Sequence, residues 1–242
     1  MPKPSSTPSL DTTARIAGLM FLLSLVVPTL GWTLSLSRMV VLGDAAATGR
    51  AVLAQPLLFR AGILSEVFTA VAVLVLAAAL YRLLESVDRR IATVALVLKV
   101  AEGTLWAVIA MTHVAALGAL EGAAPGPLAA AQLHALVGLL LAAHMPVTAV
   151  PGMLLGLNLV LFLSLLFRAG YVPRALAAFG VVAYALVLLY DALLVASPVL
   201  AANVAVQVTG WGPSVLFELV AGPWLLLKGA SQAGAEPAGA AV

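Results

Sequence analysis

Apolar runs of about twenty residues alternate with short polar breaks along most of this chain. A helix of that length crosses the hydrocarbon of a bilayer, so the pattern predicts an all-α helical bundle with six transmembrane helices. The predicted spans cover residues 15–34, 61–84, 91–117, 147–167, 175–196 and 212–227. They form one membrane domain over 14–229, flanked by a disordered cytoplasmic tail at 1–13 and a flexible small-residue tail at 230–242.

One further apolar stretch begins at Leu128 and ends at Met145, and its helical pattern would allow a seventh span. Positive charge decides against it, because lysine and arginine accumulate in short cytoplasmic loops. Six spans put eight basic residues inside and three outside, whereas seven spans would leave five inside and six outside. We therefore predict a re-entrant or outer-surface helix at 128–145, and both termini on the cytoplasmic side of a bacterial inner membrane.

The composition favours the same class of protein. Hydrophobic residues make up 63% of the chain and charged residues 9%, against about 25% charged in soluble domains. The formal net charge of +2 comes from arginines near span ends, so it reflects topology and offers no basic patch for nucleic acid. The absence of cysteine excludes disulfides and thiolate chemistry. The expected partners are membrane lipids and a lipophilic small molecule, with the oligomeric state left open.

Four carboxylates interrupt or adjoin the apolar spans: Glu66, Glu102, Asp191 and Glu218. A charged side chain at the centre of a bilayer costs roughly 2.5–3.5 kcal/mol on insertion scales unless it is paired, protonated or hydrated. At 1.5 Å of rise per residue, these acids lie between the middle of the bilayer and its outer surface. We therefore expect them to converge on one cavity beneath the outer leaflet and predict them as catalytic residues.

Helical spacing adds polar and aromatic side chains to this predicted site. Lys99, Glu102 and Trp106 share one face of the third span, because three, four and seven residues separate positions on the same side of a helix. By the same spacing, Tyr184 shares a face with Asp191 in the fifth span. The predicted substrate-contacting residues are Tyr184, Trp106, Asn158 and His113.

Structural interpretations of the same acids stay open. Lys99 and Glu102 can form an ion pair, Glu66 can pair with Arg60 near the outer surface, and Asp191 can be interfacial and solvated. The three histidines have no spacing typical of a zinc site. A phosphate-binding glycine loop, a His-Glu-x-x-His motif and an aspartate-rich run are all absent from the sequence. We therefore predict no metal and no cofactor.

Several short motifs resemble the bacterial integral-membrane family catalogued as domain of unknown function 4386. The resemblance covers nearly the whole chain, although Leu154-Leu-Gly156 replaces a Phe-Phe-Gly stretch usual in that family. It implies a six-helix membrane fold and no established activity. The motifs that carry it are Ala14-Arg-Ile-Ala-Gly-Leu19, Leu58-Phe-Arg-Ala-Gly-Ile-Leu-Ser-Glu66, Val100-Ala-Glu102, Phe167-Arg-Ala-Gly-Tyr-Val-Pro-Arg174, Phe217-Glu-Leu219 and Trp224-Leu-Leu-Leu-Lys-Gly229.

The sequence favours a membrane-embedded enzyme that uses buried carboxylates as Brønsted acids and bases. A neutral acid in a dry pocket can protonate an alkene or epoxide and so begin a cyclisation or isomerisation. Paired intramembrane acids in a chain of this size are similar to those of membrane-integral terpenoid cyclases, which suggests a terpenoid substrate. The alternatives are a proton-coupled small-solute transporter, in which the acids relay protons, and a non-catalytic membrane module.

Overall fold

The computed structural model describes residues 9–41, 43–122 and 130–230, and these contain helices but no strand. Six segments are long and apolar enough to cross a membrane: α1, α3, α4, α5 together with α6, α7 and α9. The prediction of an all-α bundle with six spans is confirmed, and the chain is a multi-pass membrane protein. The helices are α1 (Leu10–Met39), α2 (Ala45–Ala54), α3 (Pro56–Leu84), α4 (Arg89–Leu120), α5 (Ala130–Ala142), α6 (His144–Ala169), α7 (Arg174–Ala196), α8 (Pro198–Ala201) and α9 (Val204–Lys228).

The long helices form a closed ring. Each packs on the next in chain order, from α1 through α3, α4, α6 and α7 to α9, and α9 returns to pack on α1. Large apolar side chains such as Leu64, Val97, Met111, Leu189 and Leu227 are exposed on the ring. An exposed apolar surface of this kind is matched by lipid, so these side chains face the acyl chains of the bilayer.

Two apolar cores fill opposite ends of the ring. We call the end where α1 begins and α9 finishes the terminal end, and the end covered by α2 and α5 the cap end. The core at the terminal end includes Phe21, Leu76, Leu80, Leu84, Leu159, Phe162, Leu166, Phe217 and Leu225. The core at the cap end includes Leu36, Met39, Val52, Phe59, Ile63, Leu117, Leu120, Val137 and Leu141.

Helices α2 and α5 cross at the cap end with almost no space between their backbones. A side chain at Gly49 would meet the backbone of His134, and one at Gly138 would meet the backbone of Ala45. Helix α5 has 13 residues, about 20 Å at 1.5 Å per residue, which is less than the roughly 30 Å of bilayer hydrocarbon. The segment predicted at 128–145 therefore contains a helix, α5, that is too short to cross the membrane alone, although residues 128 and 129 lie outside the described part. Helix α2 has no counterpart in the prediction.

Several predicted boundaries are wrong. Helix α1 begins at Leu10, where Ser9 accepts a hydrogen bond from the Thr12 backbone N–H, so residues 10–13 are helical rather than a disordered tail. The last span begins at Val204 instead of residue 212 because Asn203 caps it and Pro213 lies inside it. Proline is tolerated within membrane helices when neighbouring groups satisfy the freed carbonyls. Residues 1–8 and 231–242 of the predicted tails lie outside the described residues.

Close packing between α6 and α7 gives a stability test at Gly156. An added Cβ there would lie 2.7 Å from the Leu188 backbone nitrogen and 2.8 Å from the Tyr184 carbonyl oxygen. We expect Gly156→Ala to destabilise the protein by about 1–3 kcal/mol, because overpacking against backbone cannot be relieved by a rotamer change. Unfolding in detergent measures this cost.

The matched control is Gly118→Ala on α4, where an added Cβ meets nothing within 4 Å. Alanine is preferred over glycine inside a helix by about 1 kcal/mol, so this control should be neutral or slightly stabilising. Equal unfolding temperatures for the two variants would contradict the close approach of α6 and α7.

Candidate functional site

A cavity of about 310 Å³ lies inside the ring. Leu36 of the cap-end core and Leu76 and Leu159 of the terminal-end core line it, so it is situated between the two apolar layers. Its size is at the lower limit for pockets that hold small molecules. Carboxylates from three helices reach it, and its polar and aromatic lining comprises Ser24, Thr29, Trp32, Ser65, Glu66, Thr69, Lys99, Glu102, Trp106, His144, Thr148, Trp211, Ser214 and Glu218.

Helix α1 is locally irregular where it borders the cavity. Pro28 has no backbone N–H, and the helix widens into π-helical geometry over Trp32–Leu36. Pi-helical turns widen the backbone and are frequent at functional sites. Here the irregular segment presents Pro28 and Trp32 to the cavity, so the local geometry of α1 shapes one wall of the site.

A buried ion pair lies on α4. Lys99 Nζ is 3.0 Å from Glu102 Oε2, and both side chains are 1% exposed. Asn158 on α6 donates from Nδ2 to the same Glu102 oxygen at 2.8 Å. The structural pairing of Lys99 with Glu102 is therefore observed, and it occurs at the cavity wall rather than at a solvated interface.

Glu218 forms a second carboxylate site on α9. It lines the cavity and accepts a hydrogen bond from the Tyr184 hydroxyl of α7. Tyr184 is completely buried, and its ring packs edge-on against Phe217. Glu218 is thus held by a neutral hydroxyl group, whereas Glu102 is held by a cation.

Glu66, His113 and His144 form a third group, which we call the histidine cluster. His113 Nδ1 lies 2.8 Å from Glu66 Oε2, and His144 Nδ1 lies 3.7 Å from Glu66 Oε1. All three side chains are buried. The Trp32 ring stacks on His144 with centroids 4.5 Å apart and an interplanar angle of 12°. The cluster joins three helices, since its members come from α3, α4 and α6.

The prediction that Asp191 shares the cavity is not met. Glu66, Glu102 and Glu218 line the cavity and Asp191 does not, because it faces the contact between α6 and α7. A Cβ added at Gly152 would collide with its carboxylate. Asp191 is buried, so the interfacial, solvated interpretation is also wrong.

The proposed pairing of Glu66 with Arg60 is wrong as well. Arg60 donates to Glu121 at 2.8 Å on the exposed surface, while Glu66 is paired with His113 in the interior. One turn and a half of helix separates positions 60 and 66, so their side chains take different directions from α3. Of the predicted contact residues, Trp106 lines the cavity, and Asn158, Tyr184 and His113 each hydrogen bond to one of its acids.

Sequence reasoning did not identify His144 or Trp32 as site residues. The predicted fourth span began at residue 147, so His144 fell in the predicted re-entrant or outer-surface helix at 128–145. Its partners in the cluster are 31 and 78 positions away along the chain, so no local spacing indicates the contact. The one available signal was a histidine next to a long apolar helix, where polar residues are rare and functional.

A known protein family matches this chain over most of its length. The family model described as "Domain of unknown function (DUF4386)" matches residues 16–229. The chain belongs to this family. Its matched region includes every residue of the cavity and all of the six spans except the first six residues of α1. No curated protein and no solved structure gave a match, so the function of this DUF4386 member has to be argued from its site.

The ion pair gives a prediction for the site. Lys99→Met leaves Glu102 as an uncompensated buried charge, so we expect it to destabilise the protein by about 3–5 kcal/mol. In the double variant Lys99→Met/Glu102→Gln the charge is gone and Asn158 retains an acceptor, so most of this loss should be recovered. Thermal unfolding of the single and double variants measures the coupling, and additive losses would contradict a buried ion pair.

Proposed function

We propose that this protein is a membrane-embedded enzyme that performs acid–base chemistry on a lipophilic small molecule. One observation supports this most strongly: an apolar cavity between two apolar cores is lined by three carboxylates from different helices. Exposed apolar surface surrounds the ring, so a substrate dissolved in lipid is the class that reaches such a cavity. A terpenoid fits this description.

The carboxylates differ in their surroundings, which suggests separate roles. Lys99 and Asn158 stabilise Glu102 as an anion. Among the described residues none forms an ion pair with Glu218, and its hydrogen-bond partner is the Tyr184 hydroxyl, so we assign it as the proton donor. Two carboxyl groups whose environments favour opposite protonation states are the common arrangement for paired acid and base catalysis.

In the reaction we propose, the substrate gains one proton and loses another. Glu218 protonates an alkene or epoxide, which leaves a carbocation on the substrate. The ring face of Trp106, on the cavity wall, stabilises that cation. A cavity carboxylate then removes a proton from a neighbouring carbon, and the product is an isomer or cyclised isomer of the substrate.

We further propose that the terminal end faces the cytoplasm of a bacterial inner membrane. Lysine and arginine concentrate in short cytoplasmic segments. At the cap end the structure has three arginines, Arg38, Arg50 and Arg60. The terminal end carries Arg15, Arg82, Arg89, Arg90, Arg168, Arg174 and Lys228.

The test is conversion of an apolar lipid extract of the native host by purified protein in D₂O, followed by mass spectrometry. We expect a product that differs from a consumed lipid by one incorporated deuterium, because the acid exchanges with solvent. Glu218→Gln should slow its formation by about 10²–10⁴-fold. The control Glu85→Gln, beside Arg82 on the surface, should act as the unsubstituted protein does.

Three results would contradict this proposal. If Glu218→Gln converts the lipid as fast as the unsubstituted protein does, Glu218 is not the proton donor. If no lipid is converted and proteoliposomes show proton flux that depends on Glu218, the protein is a proton-coupled transporter instead. If neither activity is found, it is a non-catalytic membrane module.

A further inference from the structure

We propose that the histidine cluster binds one divalent transition-metal ion, with Glu66, His113 and His144 as ligands. Each residue offers one ligand atom, and the three atoms all lie within 4.8 Å of one another. This site differs from the ion pair and from the Tyr184–Glu218 contact. The inference does not depend on the proposed enzyme activity, because it concerns binding alone.

The spacing of the ligand atoms fits a small metal ion. Zinc binds histidine nitrogen and carboxylate oxygen at about 2.0–2.2 Å, so two ligands of a tetrahedral site lie about 3.3 Å apart. The distance from Glu66 Oε2 to His113 Nδ1, 2.8 Å, is shorter than this value. The distance from Glu66 Oε1 to His144 Nδ1, 3.7 Å, is longer. The three ligand atoms are separated by up to 4.8 Å, so the side chains would have to close by as much as about 1.5 Å around a tetrahedral ion.

Two ligand atoms also lack any other partner. Glu66 Oε1 and His144 Nδ1 are buried and make no hydrogen bond, and their side chains are 6% and 8% exposed. Buried polar atoms are nearly always satisfied, and an exception indicates an unassigned water, ion or functional role. One cation between these two atoms would satisfy both lone pairs.

The rings around the cluster hold the ligands in position. Trp32 stacks on His144, and Phe59 packs against His113 with centroids 6.0 Å apart. The two histidine rings lie 5.5 Å apart at 28° to each other. Metal sites gain affinity when packing fixes ligand orientation beforehand, and rings packed in this way cannot turn freely away from a shared ion.

The donor set also indicates which metal would bind and where its open position lies. Two imidazoles and one carboxylate suit zinc and its transition-metal neighbours, whereas magnesium and calcium prefer oxygen ligands alone. Two histidines with one glutamate leave a fourth position, as in catalytic zinc sites. Glu66 and His144 both line the cavity, so that position faces the space where a small molecule would bind.

The experiment uses the full chain with an affinity tag that contains no histidine. The protein is dialysed against Zn²⁺ or Co²⁺ alone and analysed by elemental mass spectrometry and visible absorption. We expect about one metal per chain and, for cobalt, the intense visible absorption typical of four-coordinate sites. His113→Ala, His144→Ala and Glu66→Gln should each lower the affinity by about 10–100-fold or more.

The matched control is His134→Ala, which removes a histidine from α5 outside the cluster and should bind metal as the unsubstituted protein does. The inference is overturned if the folded, unsubstituted protein binds neither ion, a result that needs no variant to fold. It is also overturned if His144→Ala binds as tightly as His134→Ala. In either case Glu66 and His113 form a hydrogen-bonded pair only, and the deuterium test at Glu218 is unaffected.

Discussion

The structure depends on one constraint: ionisable groups inside an apolar bundle must find their partners within the bundle. A bilayer offers no water to a buried charge, and leaving one unpaired costs several kcal/mol. The ring meets this constraint at three places, and Asp191 is an exception because its buried Oδ2 makes no hydrogen bond. Glu102 has Lys99 and Asn158, Glu218 has Tyr184, and Glu66 has His113. Each pair joins different helices or lies at a contact between them, so the polar groups also determine how the helices are arranged.

The two apolar cores separate these groups from the water at both ends of the ring. Phe21, Phe162 and Phe217 help to close the terminal end, while Phe59 and Met39 help to close the cap end under α2 and α5. Between these layers the effective dielectric is low, which strengthens interactions among the polar groups. The same enclosure suits chemistry on a reactive apolar intermediate, because water that would intercept it is excluded.

Much of the fold could be predicted because its determinants are local. Apolar runs predict the spans, and the recurrence of Lys99, Glu102, Trp106 and His113 correctly identifies the inward face of α4. The short helix α2 was not predicted, since ten residues carry too little periodicity to stand out and its stability comes from packing on α5. Asp191 was assigned to the wrong surroundings because depth along a helix does not specify which neighbour a side chain faces.

The histidine cluster was even harder to predict from the sequence than the surroundings of Asp191. Its three members come from α3, α4 and α6, and the packing of α4 on both α3 and α6 brings them together. Such a site has no sequence motif, because no two of its ligands share a helix. The sequence-based prediction of no metal therefore rested on local spacing alone, whereas the proposed site depends on tertiary contacts.

The most direct test of the cavity's separation from water is thiol accessibility, for which this chain provides a clean background because it has no cysteine. Ser214 is buried and lines the cavity, whereas Ala202 is exposed at the cap end. In intact vesicles, Ser214→Cys should resist a charged thiol reagent added to either side and react with small membrane-permeant N-ethylmaleimide. Ala202→Cys should react with the charged reagent from one side. Labelling of Ser214→Cys by the charged reagent as fast as Ala202→Cys would show an open aqueous path and contradict this account.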